Sequence, residues 1–235
     1  MFIDIHNHTL FGVDDGPGEI QIAETMLENA KSQGAKAIIL TPHYRRGMFS
    51  YPLEDIEKNF SRLEQIGREM GIALFLGCEY HVNGDLISNI QSGRCKTLAG
   101  SDYVLTEYSY ETEYSYIAEQ THRLLSCGYF PVIAHVERYK CLLKKPELCV
   151  ELSDMGALIQ MNADSVLGLG SWSEKRFCKK MLAKEWADII ASDTHDMSNR
   201  ACHMAECRKF VEKKYGMDYA ELLFVKNPKR ILNNR

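Results

Sequence analysis

Short apolar runs alternate with longer amphipathic stretches along this chain. The runs Phe2–Ile5, Ala37–Leu40, Ala73–Leu76, Tyr103–Leu105, Val132–Ala134, Ala157–Gln160 and Asp188–Ala191 have the length and composition of β-strands. Between them the apolar positions recur at helical spacing: Ile20, Ala23, Met26, Leu27 and Ala30 make one stripe, and Leu53, Ile56, Phe60, Leu63 and Ile66 another. Gly34, Gly71, Gly128 and Gly156 each fall just before a strand, where a helix closes through a left-handed residue. Strands alternating with helices predict a parallel sheet, and seven such units predict a barrel. In a barrel of this kind functional residues gather at the C-terminal ends of the strands.

Those ends are where this chain places its histidines and acids. The first run closes on His6 and His8, spaced i, i+2 and so directed to one face of a strand. His43 follows Leu40-Thr41-Pro42, Glu79 follows Leu76-Gly77-Cys78, and Glu107 follows Val104-Leu105-Thr106. His135 follows Val132-Ile133-Ala134, and Asp193 and His195 close Ala191-Ser192-Asp193-Thr194-His195. Asp15 adds a carboxylate from the loop Gly12-Val13-Asp14-Asp15-Gly16-Pro17, in which Asp14 reads as a turn residue. Any one of these histidines is more often a satisfied polar residue than a ligand, and Glu79 or Glu107 alone reads equally well as the acid of a helix start. Their shared position overrides that. Five imidazoles and four carboxylates without a thiolate suit Mn, Fe or Zn, and nine groups exceed the needs of one ion. Clustered ions of this type clamp phosphoryl groups. Arg138 and Arg200, just past His135 and His195, match phosphate oxygens in a fork geometry. His81 lies close enough to Glu79 for an accessory contact; His122 and His203 stand outside the pattern.

Composition narrows the field further. The 235 residues fit one α/β domain, and a net charge of −4 without a basic block argues against nucleic acid or anionic membrane as the main partner. No run approaches the ~18 apolar residues of a membrane span, and no export signal opens the chain. The eight cysteines, which form no CxxC pair, are therefore expected reduced in the cytoplasm. Cys202 and Arg208 reproduce the Cys-x5-Arg spacing of cysteine-dependent phosphatases. The segment between them has no glycine, carries Glu206, and reads as the middle of a helix, so no phosphate-cradling loop is expected there.

His6-Asn7-His8, Pro42-His43, Glu79, Glu107, His135 and Asp193-Thr194-His195 together resemble the PHP superfamily, named for polymerase and histidinol phosphatase. Gly12-Val13-Asp14-Asp15-Gly16-Pro17, Arg46-Gly47-Met48-Phe49 and Ala134-His135-Val136-Glu137-Arg138-Tyr139 resemble, more narrowly, the metal-dependent protein-tyrosine phosphatases of Gram-positive capsule and exopolysaccharide loci. The likeness extends to Phe224-Val225-Lys226-Asn227-Pro228. It implies a single domain over residues 1–235, folded as a distorted (β/α)7 TIM-like barrel of the PHP type. It also implies two or three manganese ions, with Fe or Zn as substitutes, and hydrolysis of phosphotyrosine by a metal-bridging hydroxide. By the same likeness a first ion takes His6, His8, Glu79 and Asp193, a second Glu79, Glu107 and His135, and a third Asp15, His43 and His195. Arg138 and Arg200 match phosphate-contacting arginines, and the implied substrate is the tyrosine-rich tail of a bacterial tyrosine kinase. Val136, in place of a common proline, and Tyr80-His81 depart from the pattern without removing a ligand. A phosphomonoesterase of the histidinol-phosphatase type and a catalytically silent metal-binding PHP module are the alternatives; the intact ligand set argues against the second. Arg45, Arg46, Met48, Phe49 and Tyr51 on the loop after the second strand suit a phenyl ring with acidic neighbours, or else pack that loop onto the barrel.

Overall fold

The computed structural model describes residues 1–234. Its strands are β1 (Phe2–Asn7), β2 (Ala35–Leu40), β3 (His43–Tyr44), β4 (Ala73–Leu76), β5 (Glu79–His81), β6 (Tyr103–Glu107), β7 (Phe130–Ile133), β8 (Leu158–Asn162) and β9 (Ile189–Ala191). Every ladder between them is parallel. β1, β2 and β4 form one sheet, and β3, β5, β6, β7, β8 and β9, in that order, form the other. β3 continues the line of β2 after a break at Thr41-Pro42, and β5 continues β4 after a break at Gly77-Cys78, so the two sheets share two staves. Proline has no N–H to give a ladder, which accounts for the first break. At the second, a Cβ on Gly77 would stand 3.0 Å from Ile39 Cγ2 and 3.1 Å from Leu98 Cδ2, so any side chain there would press on both.

The ring returns on itself where β9 runs out beside β1. Asn7 and Thr194 form a parallel bridge, Asp193 N donates to His6 O at 2.9 Å, and His8 N donates to Thr194 O at 3.0 Å. The result is the distorted seven-stave barrel, its irregularity concentrated where β5 rather than β4 pairs with β6. Each expected strand is present, Ala73–Leu76 with its expected bounds and the others with ends shifted by no more than two residues. β6 runs on to Glu107 and β8 to Asn162, so Glu79 and Glu107 lie in strands rather than at helix starts.

Two apolar layers hold this frame. Outside, the helix Ile20–Ser32 buries Ala23, Met26, Leu27 and Ala30, and the helix Leu53–Met70 buries Ile56 and Leu63. It ends at Gly71 with φ 76°, a left-handed cap that glycine takes without strain. Inside, Ile3, Ile5, Ile39, Leu105, Val132, Ile189 and Ala191 pack as one cluster under the C-terminal ends of the strands. Strict alternation along β1 would leave His6 and His8 on the face opposite Ile3 and Ile5. A register shift against β2 between Asp4 and Asn7 changes that parity, as a bulge does, and brings both imidazoles inward above the plug. Among the described residues no helix is long and apolar enough to cross a membrane.

Candidate metal centre

The inner plug ends where the polar layer begins. His6, His8, Glu79, His135, Asp193 and His195 are all buried to within 4% of full burial, and His43 is 8% exposed. Their atoms form three overlapping groups in which every ligand-type atom lies within 4.8 Å of the others: His6, His8, Glu79 and Asp193; His8, Asp15, His43 and His195; and His43, Glu79 and Glu107. The first contains the same four residues expected together from the sequence, and the second the expected three plus His8. The third differs: Glu107 groups with His43, while His135 approaches Glu79 separately, Nε2 to Oε1 at 2.8 Å. Glu79 is the hub, for its Oε2 lies 3.2 Å from His6 Nε2, 3.2 Å from His8 Nε2 and 2.9 Å from His43 Nδ1. His81 stays outside, its Nε2 3.1 Å from Ser109 Oγ.

Four of the five imidazoles are anchored through Nδ1, leaving Nε2 for the centre. His6 Nδ1 meets Gln160 Oε1 at 3.1 Å, His8 Nδ1 meets Asp14 Oδ2 at 2.8 Å, and His195 Nδ1 meets the Asp193 carbonyl at 2.9 Å. His135 Nδ1 lies 3.4 Å from Tyr139 Oη, whose own proton goes to the Ala134 carbonyl at 2.8 Å. This is how metal-binding imidazoles are held. His43 Nδ1, Glu79 Oε2, Glu107 Oε2 and His195 Nε2 are buried with no partner in hydrogen-bond geometry among the described residues, close as several of them lie to one another. Buried polar atoms are seldom left so, and these four, spread over two groups that share His43, fit divalent cations. The donor set is nitrogen and oxygen only, which suits Mn, Fe or Zn.

The charges are strongly perturbed. Burial, then the nearby Glu79 charge, pushes the Glu107 carboxyl up to about 7. Burial pulls His8 down, but hydrogen bonds to Asp14 and Glu79 more than reverse this and carry it to about 10. Burial and Arg138 pull His135 down to about 4. Burial opposes ionisation of Asp193, yet His6 and Arg138 hold its carboxyl well below the usual range. Arg138 Nη2 is 3.0 Å from Asp193 Oδ2; Arg200 Nη2 is 3.2 Å from Asp193 Oδ1, and its Nη1 is 3.3 Å from Asp15 Oδ2. Both guanidinium side chains remain partly exposed, 42% and 36%, at the mouth of the cluster. The Phe49 ring stacks on His43 with centroids 5.0 Å apart and 7° between planes.

Several residues matter here that the sequence did not mark. Asp14 does serve its turn, accepting from Gly16 N at 3.0 Å, but its other oxygen holds both His8 Nδ1 and, at 3.1 Å, the His43 N–H. Gln160 and Asn162 project from β8, the stave that supplies no candidate ligand. Cys202 is not inside a helix: the helix Met204–Tyr215 begins two residues later. Its thiol is nonetheless buried and pushed up to about 12, chiefly by burial, while Arg208 is tied to Glu212 and Glu221. That pair makes no thiolate site. All eight cysteines are free.

The CpsB/CapC family of capsular polysaccharide synthesis matches residues 2–233. The chain belongs to this family. Among CpsB/CapC relatives, the tyrosine-protein phosphatase CpsB of Streptococcus pneumoniae is 35% identical over 237 residues, covering 98% of each chain. The tyrosine-protein phosphatase YwqE of Bacillus subtilis is 27% identical over 99% of this chain and 92% of its own. A crystal structure from the pair YwqE of Bacillus subtilis and CpsB of Streptococcus pneumoniae, described as metal-dependent tyrosine phosphatases, superposes with a TM-score of 0.91 at 27% identity, covering 99% of this chain and 95% of that one. A phosphotriesterase homology protein of Escherichia coli shares the fold alone, with a TM-score of 0.61 at 11% identity over 98% of both chains.

Proposed function

We propose that this chain is one PHP-type domain acting as a metal-dependent protein-tyrosine phosphatase. The observation that carries the reading is the gathering of nine nitrogen and oxygen donors into overlapping clusters, Glu79 among them, with Arg138 and Arg200 beside them at the opening. His6, His8, Glu79 and Asp193 would hold one ion, Asp15, His43, His195 and His8 another, and Glu79, Glu107 and His135 or His43 a third. Manganese is the resident metal in this reading, with iron or zinc as substitutes. Bound there, such ions lower the pKa of water and neutralise charge on a phosphoryl group.

The protein's own side chains do the rest. Arg138 and Arg200 present charged N–H groups to the phosphoryl oxygens, whose charge grows in the transition state. Asp193, which both arginines touch, fixes where those donors point. Phe49, braced against His43, offers a flat apolar wall for the tyrosyl ring. Phenolate, with a parent pKa of about 10, leaves without the general acid that a serine alkoxide demands. The loop after β3 bears on substrate choice. Arg45 Nη1 lies 3.8 Å from Glu107 and Arg46 Nη1 3.3 Å from Asp85, while a cavity of about 290 Å³ beside Phe49 is lined by Arg46 and Arg94 among others. A cleft with two guanidinium groups suits an acidic residue flanking phosphotyrosine, such as the tail of a bacterial tyrosine kinase in the cytoplasm. The deciding experiment compares turnover of a phosphotyrosine peptide with that of histidinol phosphate before and after chelation. Metal-dependent hydrolysis of the peptide in preference to the metabolite is expected; preference for histidinol phosphate makes the protein a small-molecule phosphomonoesterase, and no turnover of either makes it a silent module.

A further inference from the structure

β8 contributes no candidate ligand, yet its last inward side chains, Gln160 and Asn162, are buried in the wall of the cluster, 0% and 2% exposed. They form a chain of hydrogen bonds. Asn162 Nδ2 donates to Asp193 Oδ2 at 2.7 Å, Gln160 Nε2 donates to Asn162 Oδ1 at 2.9 Å, and Gln160 Oε1 accepts from the His135 backbone N–H at 3.0 Å and faces His6 Nδ1 at 3.1 Å. The polarity of this chain is not free. An ionised carboxylate can only accept, so Asn162 must turn its NH2 toward Asp193 and its oxygen toward Gln160. Gln160 must then donate to Asn162 and turn its own oxygen toward His6. An amide oxygen cannot donate, so the proton between Gln160 and His6 belongs to His6 Nδ1. With Nδ1–H committed to Gln160, His6 Nε2, which faces Glu79 Oε2 at 3.2 Å and Asp193 Oδ1 at 3.3 Å, is the nitrogen left to offer a lone pair to a cation.

The same two amides brace the strained backbone. His135 and Asp193 have φ of 32° and 52°, left-handed conformations that side chains of this size rarely adopt. His135 donates its backbone N–H to Gln160 Oε1, and Asp193 accepts at its carboxylate from Asn162 Nδ2. We propose that Gln160 is a positioning residue that, through Asn162, carries the polarity of the Asp193 carboxylate to His6, fixing His6 as the Nδ1–H tautomer while holding His135 in its left-handed turn. The inference rests on the reading of His6 and Asp193 as metal ligands.

The test uses the full chain loaded with zinc, which is diamagnetic, and reads the His6 tautomer from long-range proton–nitrogen correlations, together with zinc affinity by chelator competition. In the wild type His6 carries its proton on Nδ1 and its Nε2 resonance moves on zinc addition. In Gln160→Leu, similar in bulk but unable to accept, the Nδ1 proton exchanges freely and zinc affinity falls by about 10–100-fold, the usual cost of losing such a support. A role confined to packing would lower the melting temperature and leave tautomer and affinity alone. Either a wild-type His6 protonated at Nε2, or a Gln160→Leu protein with wild-type tautomer and affinity, overturns the proposal. The wild-type measurement decides even if the variant does not fold. Zinc that binds without moving the His6 resonances removes the metal reading of that residue, and the proposal with it.

Discussion

Replacing Arg138 by alanine separates the roles assigned to this site, because its expected effects on rate, metal content and stability differ in size. The Arg138 side chain is 42% exposed, and its resolved ion pair is the 3.0 Å contact to Asp193. Asp193 keeps Arg200 at 3.2 Å and Asn162 at 2.7 Å when that contact goes, so no buried charge is orphaned. A partly exposed pair of this kind contributes about 0–1 kcal/mol, which in a chain of this length moves the melting temperature by no more than about 2–4 °C. Metal content should be unchanged, since a guanidinium coordinates no cation. The rate is another matter. A fixed charged donor to a phosphoryl oxygen is worth about 10²–10³ in kcat, or about 2.7–4 kcal/mol of transition-state stabilisation. The assay is kcat and KM on a phosphotyrosine peptide, with metals counted on the same preparation. A loss of bound metal, or a kcat within threefold of wild type, would refute the placement of Arg138 at the phosphoryl group.

Glu79→Ala should behave in the opposite way: the hub carboxylate faces four imidazoles, so metal stoichiometry and rate should fall together, and a fully loaded variant by elemental analysis would show that Glu79 is not shared between ions. Cys202→Ser should retain nearly full activity, because the thiol lies outside the cluster; loss of turnover with metals intact would point to thiol chemistry instead. Metal affinity should climb with pH between 6 and 8, since Glu107 titrates near 7 and His8 near 10 in the metal-free site and both must lose their protons to ligate; each proton displaced steepens the rise by up to about tenfold per pH unit, and a flat affinity by chelator competition would contradict it. Arg46→Ala with Arg94→Ala should raise KM for a peptide with acidic flanks and leave free phosphotyrosine unaffected; equal losses on both substrates would assign these arginines to the phosphate or the fold.

The strands, and the grouping of the candidate donors, were legible in the sequence for one reason: eight of the nine candidates stand where an apolar run ends, Asp15 coming from the loop after β1, and a parallel barrel gathers strand ends at one rim. What escaped notice has equally specific causes. Asp14 looked fully explained by its turn, and a turn accounts for only one of its two oxygens. Alternation along β1 puts His6 and His8 on one face but does not say that this face is the one Ile3 and Ile5 share, because a register shift leaves no mark in a pattern of apolar and polar letters. Cys202 reads as helical because the residues around it continue a helical composition, and His203, whose side chain turns to Asp164, gives no capping hydrogen bond to mark the start. Gln160 and Asn162 are the deepest omission. Neutral amides carry no charge and are not among the usual ligands of Mn, Fe or Zn, so a pattern of imidazoles and carboxylates does not include them. Their importance lies only in the direction in which each can donate and accept, and that direction is set by Asp193, more than thirty residues away in the chain. Ligand identity is a property of single residues and can be read from a sequence. The tautomer and backbone turn that make a ligand usable belong to contacts between strands, and they become visible only when the strands are assembled.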